Sequence, residues 1–142
     1  MGGSLPRAIL ESELRPYVTE TSRVPLDGPE IRLPAGPAVV LGMAFHELAT
    51  NAVKYGSLSV AAGRVEVEWH LGVSGDETLL AVEWCELDGP EVEAQPSPGF
   101  GSRLLRQTIV GELAGQLEVR FAPEGLCCTI AVPIRLSERK TA

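Results

Sequence analysis

Basic residues are scarce in this sequence. Its 142 residues carry 12 Lys and Arg against 19 Asp and Glu, a formal charge of −7. A protein that tracks a nucleic-acid backbone needs the opposite sign, so no nucleic-acid partner is expected. An anionic ligand would have to be held by local donors or a metal, against the overall field. Cysteine is scarce as well, with three in the chain. There is no Cys-x-x-Cys and no His/Cys spacing suited to zinc. Cys127 and Cys128 are adjacent and would point to opposite faces of a strand, while Cys85 stands alone. The three read as reduced thiols partly in a core, which fits a cytoplasmic setting. No apolar run approaches the roughly 18 residues of a membrane span, and no secretory signal opens the chain, so no membrane contact is expected. Residues 1–4, MGGS, read as a cloning remnant, and residues 136–142 as a polar tail.

What remains is an ordinary globular balance, 44% hydrophobic and 22% charged, in a chain long enough to build one domain with its own core. Apolar residues at Leu5, Ile9, Leu10, Leu14 and Val18 predict an amphipathic helix over 5–18, with Pro6 in its first turn and Pro16 fraying its end. The stretch DGPEIRLPAGP, 27–37, leaves room for a short strand at 30–33. A long helix follows, from about Pro37 to Tyr55, with Gly56 placed to close it. Val65, Val67, Trp69 and Leu71 then alternate with Arg64, Glu66, Glu68 and His70, and a Gly75–Asp76 turn leads to a returning strand over 79–86. The segment LDGPEVEAQPSPGFG, 87–101, is rich in Pro, Gly and acid and reads as a loop. SRLLRQTIVGEL predicts a helix. Strands at 116–121 and 125–134 close the chain, with Pro133 at a strand end or edge. Helices segregated from antiparallel hairpins predict an α/β two-layer sandwich: a mixed, mainly antiparallel sheet covered on one face by helices.

Three stretches carry chemistry. On the long helix, Glu47, Asn51 and Lys54 fall within an arc of roughly 60°, apart from the apolar arc of Leu41, Phe45, Leu48 and Ala52. A carboxylate, an amide and a cation on successive turns could hold Mg²⁺ and meet a phosphate, or they could form a solvated face. In VEWCELDGP, Leu80, Val82 and Trp84 define an inward face that Glu86 continues at the strand's end. A carboxylate buried there without a partner would be costly, so a donor is expected beside it. In GFGS, 99–102, glycines open a helix whose free N–H groups suit phosphate, although Ser102 could equally be a plain N-cap.

In this order the stretches resemble a Bergerat-type ATP-binding fold, and more narrowly the catalytic ATP-binding domain of HWE-type sensor histidine kinases. That group is named for a His in its Asn-box and a Trp-x-Glu in the next box. Here these are His46 within HELATNAVKYG and Trp84–Cys85–Glu86, while GFGSRLL is similar to its last glycine box and GQLEVRFAPEGLCCTIAVP to its closing hairpin. The resemblance spans about Leu5 to Pro133 and makes 5–135 the catalytic domain, with an ATP lid at about 87–101. It implies that Asn51 ligates a Mg²⁺ bridging the ATP phosphates, with Glu47 beside it as a candidate base or water-orienting group. Lys54 would meet phosphate and Tyr55 would lie against the nucleotide or pack at the helix end. Glu86 would pair with the adenine amino group. Gly89, Gly99, Gly101 and Ser102 would shape the nucleotide site. His46 and Trp84 are family markers, and His46 is expected to position or pack, since it lies about 100° round the helix from Glu47. His70, on a polar strand face, is expected to have no role.

The implied activity is transfer of the ATP γ-phosphoryl to a histidine on a separate dimerising helical hairpin, and from there to the receiver domain of a response regulator. That phosphoacceptor motif is absent from the sequence. The pattern departs at Asp88, where the family usually has Gly; a side chain there puts nucleotide affinity in doubt. Two other readings use the same fold: a degenerate docking module that binds no ATP, and a serine kinase of the anti-sigma type.

Overall fold

The structure is a computed structural model describing residues 5–18, 23–90, 106–122 and 125–134. Its elements run α1 (Pro6–Leu14), β1 (Leu26–Asp27), α2 (Ala35–Lys54), a 3-10 turn (Ser57–Ser59), β2 (Arg64–Ser74), β3 (Glu77–Leu87), a π-helix (Gln107–Glu112), β4 (Gln116–Ala122) and β5 (Gly125–Ile134). The strands form one sheet in the order β1-β2-β3-β5-β4. Only β1–β2 is parallel; the other pairs are antiparallel. The expected mixed, mainly antiparallel sheet is therefore what forms.

Alternation decides which face is covered. Val65, Val67 and Trp69 of β2, Leu80, Val82 and Trp84 of β3, and Cys128, Ile130 and Val132 of β5 are all buried. They meet Ala38, Leu41, Ala44, Phe45, Leu48 and Ala52 from α2, with Leu10 and Leu14 from α1. Phe45 and Trp84 are among the largest fully buried side chains; truncating either to Ala would cost about 3–5 kcal/mol. Trp69 also ties the 28–29 turn to the sheet, since its indole N–H donates to the Pro29 carbonyl at 2.8 Å.

The opposite face carries no helix among the described residues. The register sets Asp27 beside Glu68, Glu68 beside Glu83, and both Glu83 and Glu118 beside Thr129. A row of carboxylates therefore crosses the whole sheet.

Several local expectations change. The short strand is not at 30–33. Pairing begins earlier, where the Val67 N–H donates to the Pro25 carbonyl at 3.1 Å, and Ile31 and Leu33 serve as buried core instead. The first helix ends at Leu14, where the N–H groups of Tyr17 and Val18 both turn back to the Leu14 carbonyl at 2.9 Å; Pro16, lacking an N–H, cannot extend it. The helix expected after Gly101 is described only from Arg106, and there it is π-helical over Gln107–Glu112. Pro133 does sit near a strand end, beyond the Gln116–Ala131 pair at which β4 begins. The cysteines are not three reduced thiols: Cys85 and Cys127 face each other across β3 and β5, with Cα atoms 4.2 Å apart, and form a disulfide. Cys128 alone is free and buried.

Candidate nucleotide site

The end of α2 and the end of β3 meet at Glu86. Strand alternation turns this carboxylate inward, and it is 5% exposed. The expected donors are present. The Trp84 indole N–H, two residues back on the same face, donates to Oε2 at 3.1 Å. The Ser57 backbone N–H donates to Oε1 at 3.2 Å. Burial pushes the Glu86 carboxyl above its ordinary range, and the two hydrogen bonds act in the opposite direction.

This contact depends on glycine. A Cβ on Gly56 would lie 2.1 Å from Glu86 Oε1, so no other residue there would let the carboxylate approach the helix end. Gly56 closes α2 as expected, its N–H donating to the Asn51 and Ala52 carbonyls at 3.1 Å, and it does so at an ordinary φ of −106°. Its value is the space it leaves. Gly89 acts similarly from the other side, where a Cβ would come 2.5 Å from Ser57 Cα. Between them Ser57 is 2% exposed, and its hydroxyl is buried with no hydrogen-bond partner among the described residues. Arg23 braces the same loop from outside, donating to the carbonyls of Val60 at 2.6 Å and Gly63 at 2.8 Å.

The polar set on α2 leads toward this corner. Glu47 and Asn51 are half-buried and Lys54 is exposed, and none of the three forms an ion pair among the described residues. The Asn51 carbonyl accepts from Tyr55 N–H at 2.8 Å and Gly56 N–H at 3.1 Å, closing the helix directly before Ser57. Tyr55 is 63% exposed. Glu47 also borders an open groove of about 710 Å³ between α1 and α2, with His46, Val39 and Met43. His46 faces Glu13 of α1, Nδ1 to Oε1 at 2.9 Å. His70 is exposed. Asp88 adopts φ +56° and pairs with Arg64. A positive φ explains why Gly would be at ease at this position. Gly99, Gly101, Ser102 and the lid beyond Pro90 lie outside the described residues. Sequence reasoning did not find Ser57 or Arg23: a serine after Gly56 and an arginine in an irregular segment carry no periodic signal.

Comparison with known proteins adds to this geometry. The chain is 36% identical over 133 residues, 93% of its length, to the blue-light-activated histidine kinase of Brucella ovis. It is similar in sequence to part of that kinase, and its fold is that of histidine kinase catalytic domains. It spans about a quarter (27%) of the length of that relative. The blue-light-activated histidine kinase of Erythrobacter litoralis EL346 superposes with a TM-score of 0.69 at 22% identity, over 90% of this chain and 40% of that one. The nucleotide-free catalytic domain of histidine kinase ThkA superposes with a TM-score of 0.65 at 10% identity, over 94% of this chain and 97% of that one. At such identities these two likenesses speak for the fold, and the second matches an isolated kinase domain from end to end. No protein-family model matches the chain. Among the described residues no helix is long and apolar enough to cross a membrane.

Proposed function

We propose that the chain binds ATP with Mg²⁺ and donates the γ-phosphoryl to a histidine on a separate phosphoacceptor domain, as the cytoplasmic engine of a two-component sensor kinase of the HWE type. The observation that carries this reading is the Glu86 corner: a buried carboxylate at a strand end, fixed by Trp84 and Ser57 and approached through Gly56 and Gly89.

The residues present fit the ligand. A carboxylate accepts at about four positions, and among the described residues two on Glu86 are taken, which leaves capacity for the amino group of adenine. The buried, unpartnered Ser57 hydroxyl beside it supplies a further polar group. On α2, the Asn51 amide oxygen suits Mg²⁺, the Lys54 ammonium suits a phosphate, and Glu47 is placed one turn before Asn51 to orient an attacking group. Tyr55, exposed at the end of the helix, would lie against the nucleotide. When bound, Mg²⁺ would neutralise charge on the phosphates. The protein's part is then to position and neutralise, the main demand of phosphoryl transfer. Gly99 and Gly101 from the lid at about 87–101, with Ser102 directly after it, would complete the phosphate contacts. The phosphohistidine formed would pass its phosphoryl to a receiver domain of a response regulator.

Calorimetry with ATP, with and without Mg²⁺, beside Asn51→Ala tests the reading. Metal-dependent binding that drops by about tenfold or more in the variant is expected, since a lost ligand of this kind costs roughly 1.5–3 kcal/mol. Absence of binding at millimolar ATP would favour a docking module instead. Transfer to a protein serine would favour the anti-sigma-type reading.

A further inference from the structure

The middle residue of the Trp-x-Glu box is a cysteine, and that cysteine is bonded. Cys85 lies between Trp84 and Glu86 but points the other way, onto the helix-free face of the sheet, where it joins Cys127. The bond sits at a particular place in the ladder. Cys85–Cys127 is the last paired rung of β3 with β5. Immediately past the bond, a Cβ on Gly125 would stand 2.0 Å from the Glu86 carbonyl. The two backbones are therefore pressed together at the residue that carries the buried carboxylate.

We propose that the Cys85–Cys127 pair is a redox-responsive clamp on the Glu86 corner: as a disulfide it holds the ends of β3 and β5 together, and as two thiols it lets them fray. Its effect on nucleotide affinity rests on the function proposed above; its effect on the corner does not. Both sulfurs belong to half-buried residues on the open face, within reach of small thiols. Cys128 is buried on the opposite face, and burial pushes its thiol up to about 12, so it stays protonated and does not exchange with the pair.

The chemistry balances with a dithiol as the reductant. Its thiolate attacks one sulfur of the pair, the S–S bond breaks, and the other sulfur leaves as a thiolate that takes up a proton. The second thiol of the reductant then resolves the mixed disulfide, so two electrons and two protons pass to the protein. Register selects the sulfur attacked. Arg120 stands opposite Cys127 and Glu66 opposite Cys85, so Cys127 is the better leaving thiolate and attack falls on Cys85. Glutathione disulfide re-forms the bond by two exchanges, through a protein–glutathione mixed disulfide, and leaves as two molecules of glutathione; excess glutathione runs the same two exchanges backwards.

Hydrogen exchange on the whole chain, equilibrated with oxidised or reduced glutathione and with thiol labelling to verify each state, tests the clamp. Amides of Glu86–Asp88 and Leu126 are expected to exchange about tenfold faster in the reduced protein, with amides in α1 unchanged. Cys85→Ser should match the reduced protein under both conditions. Equal exchange in the two verified states overturns the proposal, as does a pair that stays reduced even in excess glutathione disulfide. ATP affinity measured on the same samples should fall severalfold on reduction. Exchange that follows redox state without ATP binding in either state would leave the clamp standing and remove the nucleotide reading.

Discussion

Glu86→Gln separates the charge at the centre of the site from its shape. The amide fills the same space and keeps one oxygen to accept from Trp84 or Ser57, but it does not titrate. In the wild type the folded carboxyl has a raised proton affinity because burial penalises its charge. Between the unfolded value and the raised folded value, the folded protein holds a proton that the unfolded chain has released. Stability from this group is therefore fully present below the unfolded value and is lost as pH climbs through the folded one. The slope is about 1.36 kcal/mol per pH unit across that window. The variant lacks this slope, so its stability relative to wild type should improve by that increment as pH rises from about 4.5, then level off. Against this gain stands the loss of one hydrogen bond to a charged acceptor, about 1.5–3 kcal/mol. Urea unfolding of both proteins by circular dichroism at half-unit pH steps from 4 to 8 would measure the difference directly. A constant gap between the two proteins across the series would refute the account of Glu86 as a carboxylate held against its desolvation.

Gly89→Ala should destabilise by about 1–3 kcal/mol, because the new Cβ meets Ser57 backbone at 2.5 Å. Gly42→Ala, whose Cβ would make an ordinary 3.6 Å contact with Ile9 inside α2, should stabilise by about 0.5–1 kcal/mol; urea midpoints compare the two. Asp88→Gly relieves a left-handed backbone worth about 1–2 kcal/mol and gives up an exposed pair with Arg64 worth at most about 1. Thermal unfolding should show it equal to or more stable than wild type, and Asp88→Ala less stable. His46→Ala removes an exposed pair to Glu13; calorimetry should show ATP affinity unchanged and unfolding a loss below about 1 kcal/mol.

The hairpin β2–β3 was legible from its alternation, although both strands run closer to the turn than expected and the buried face of β2 ends at Trp69, leaving Leu71 exposed; the same alternation turned Glu86 inward and demanded a donor for it. The buried face of α2 was legible for the equivalent helical reason. Periodicity is silent where the chain contacts itself without a repeat. It could not place β1, whose two residues are chosen by the partner strand, nor could it find Ser57, whose role comes from its backbone amide. Gly56 was legible as the residue that closes the helix, which it does; that the absence of its Cβ also makes room for Glu86 is a contact no pattern in the sequence signals. The disulfide was missed because 42 residues separate Cys85 from Cys127, and only the strand register brings them face to face. The family resemblance supplied the proposed roles of Asn51, Lys54 and Glu86, which spacing alone left open between a ligand set and a solvated surface.

The acidic row across the uncovered face has a consequence for association. An antiparallel sheet with one face bare is well suited to stacking on a copy of itself at a spacing of about 10 Å. Here Asp27, Glu68, Glu83 and Glu118 put one sign on four of the five strands, and Glu68 and Glu83 stand directly opposite each other, an arrangement that costs the fold a few tenths of a kcal/mol or more. Two such faces would repel before their side chains could interdigitate. The screening length is about 8 Å at physiological ionic strength and about 3 Å at 1 M. The same charges that strain the monomer slightly in dilute buffer thus keep its copies apart, and concentrated salt would lift the strain and the separation together.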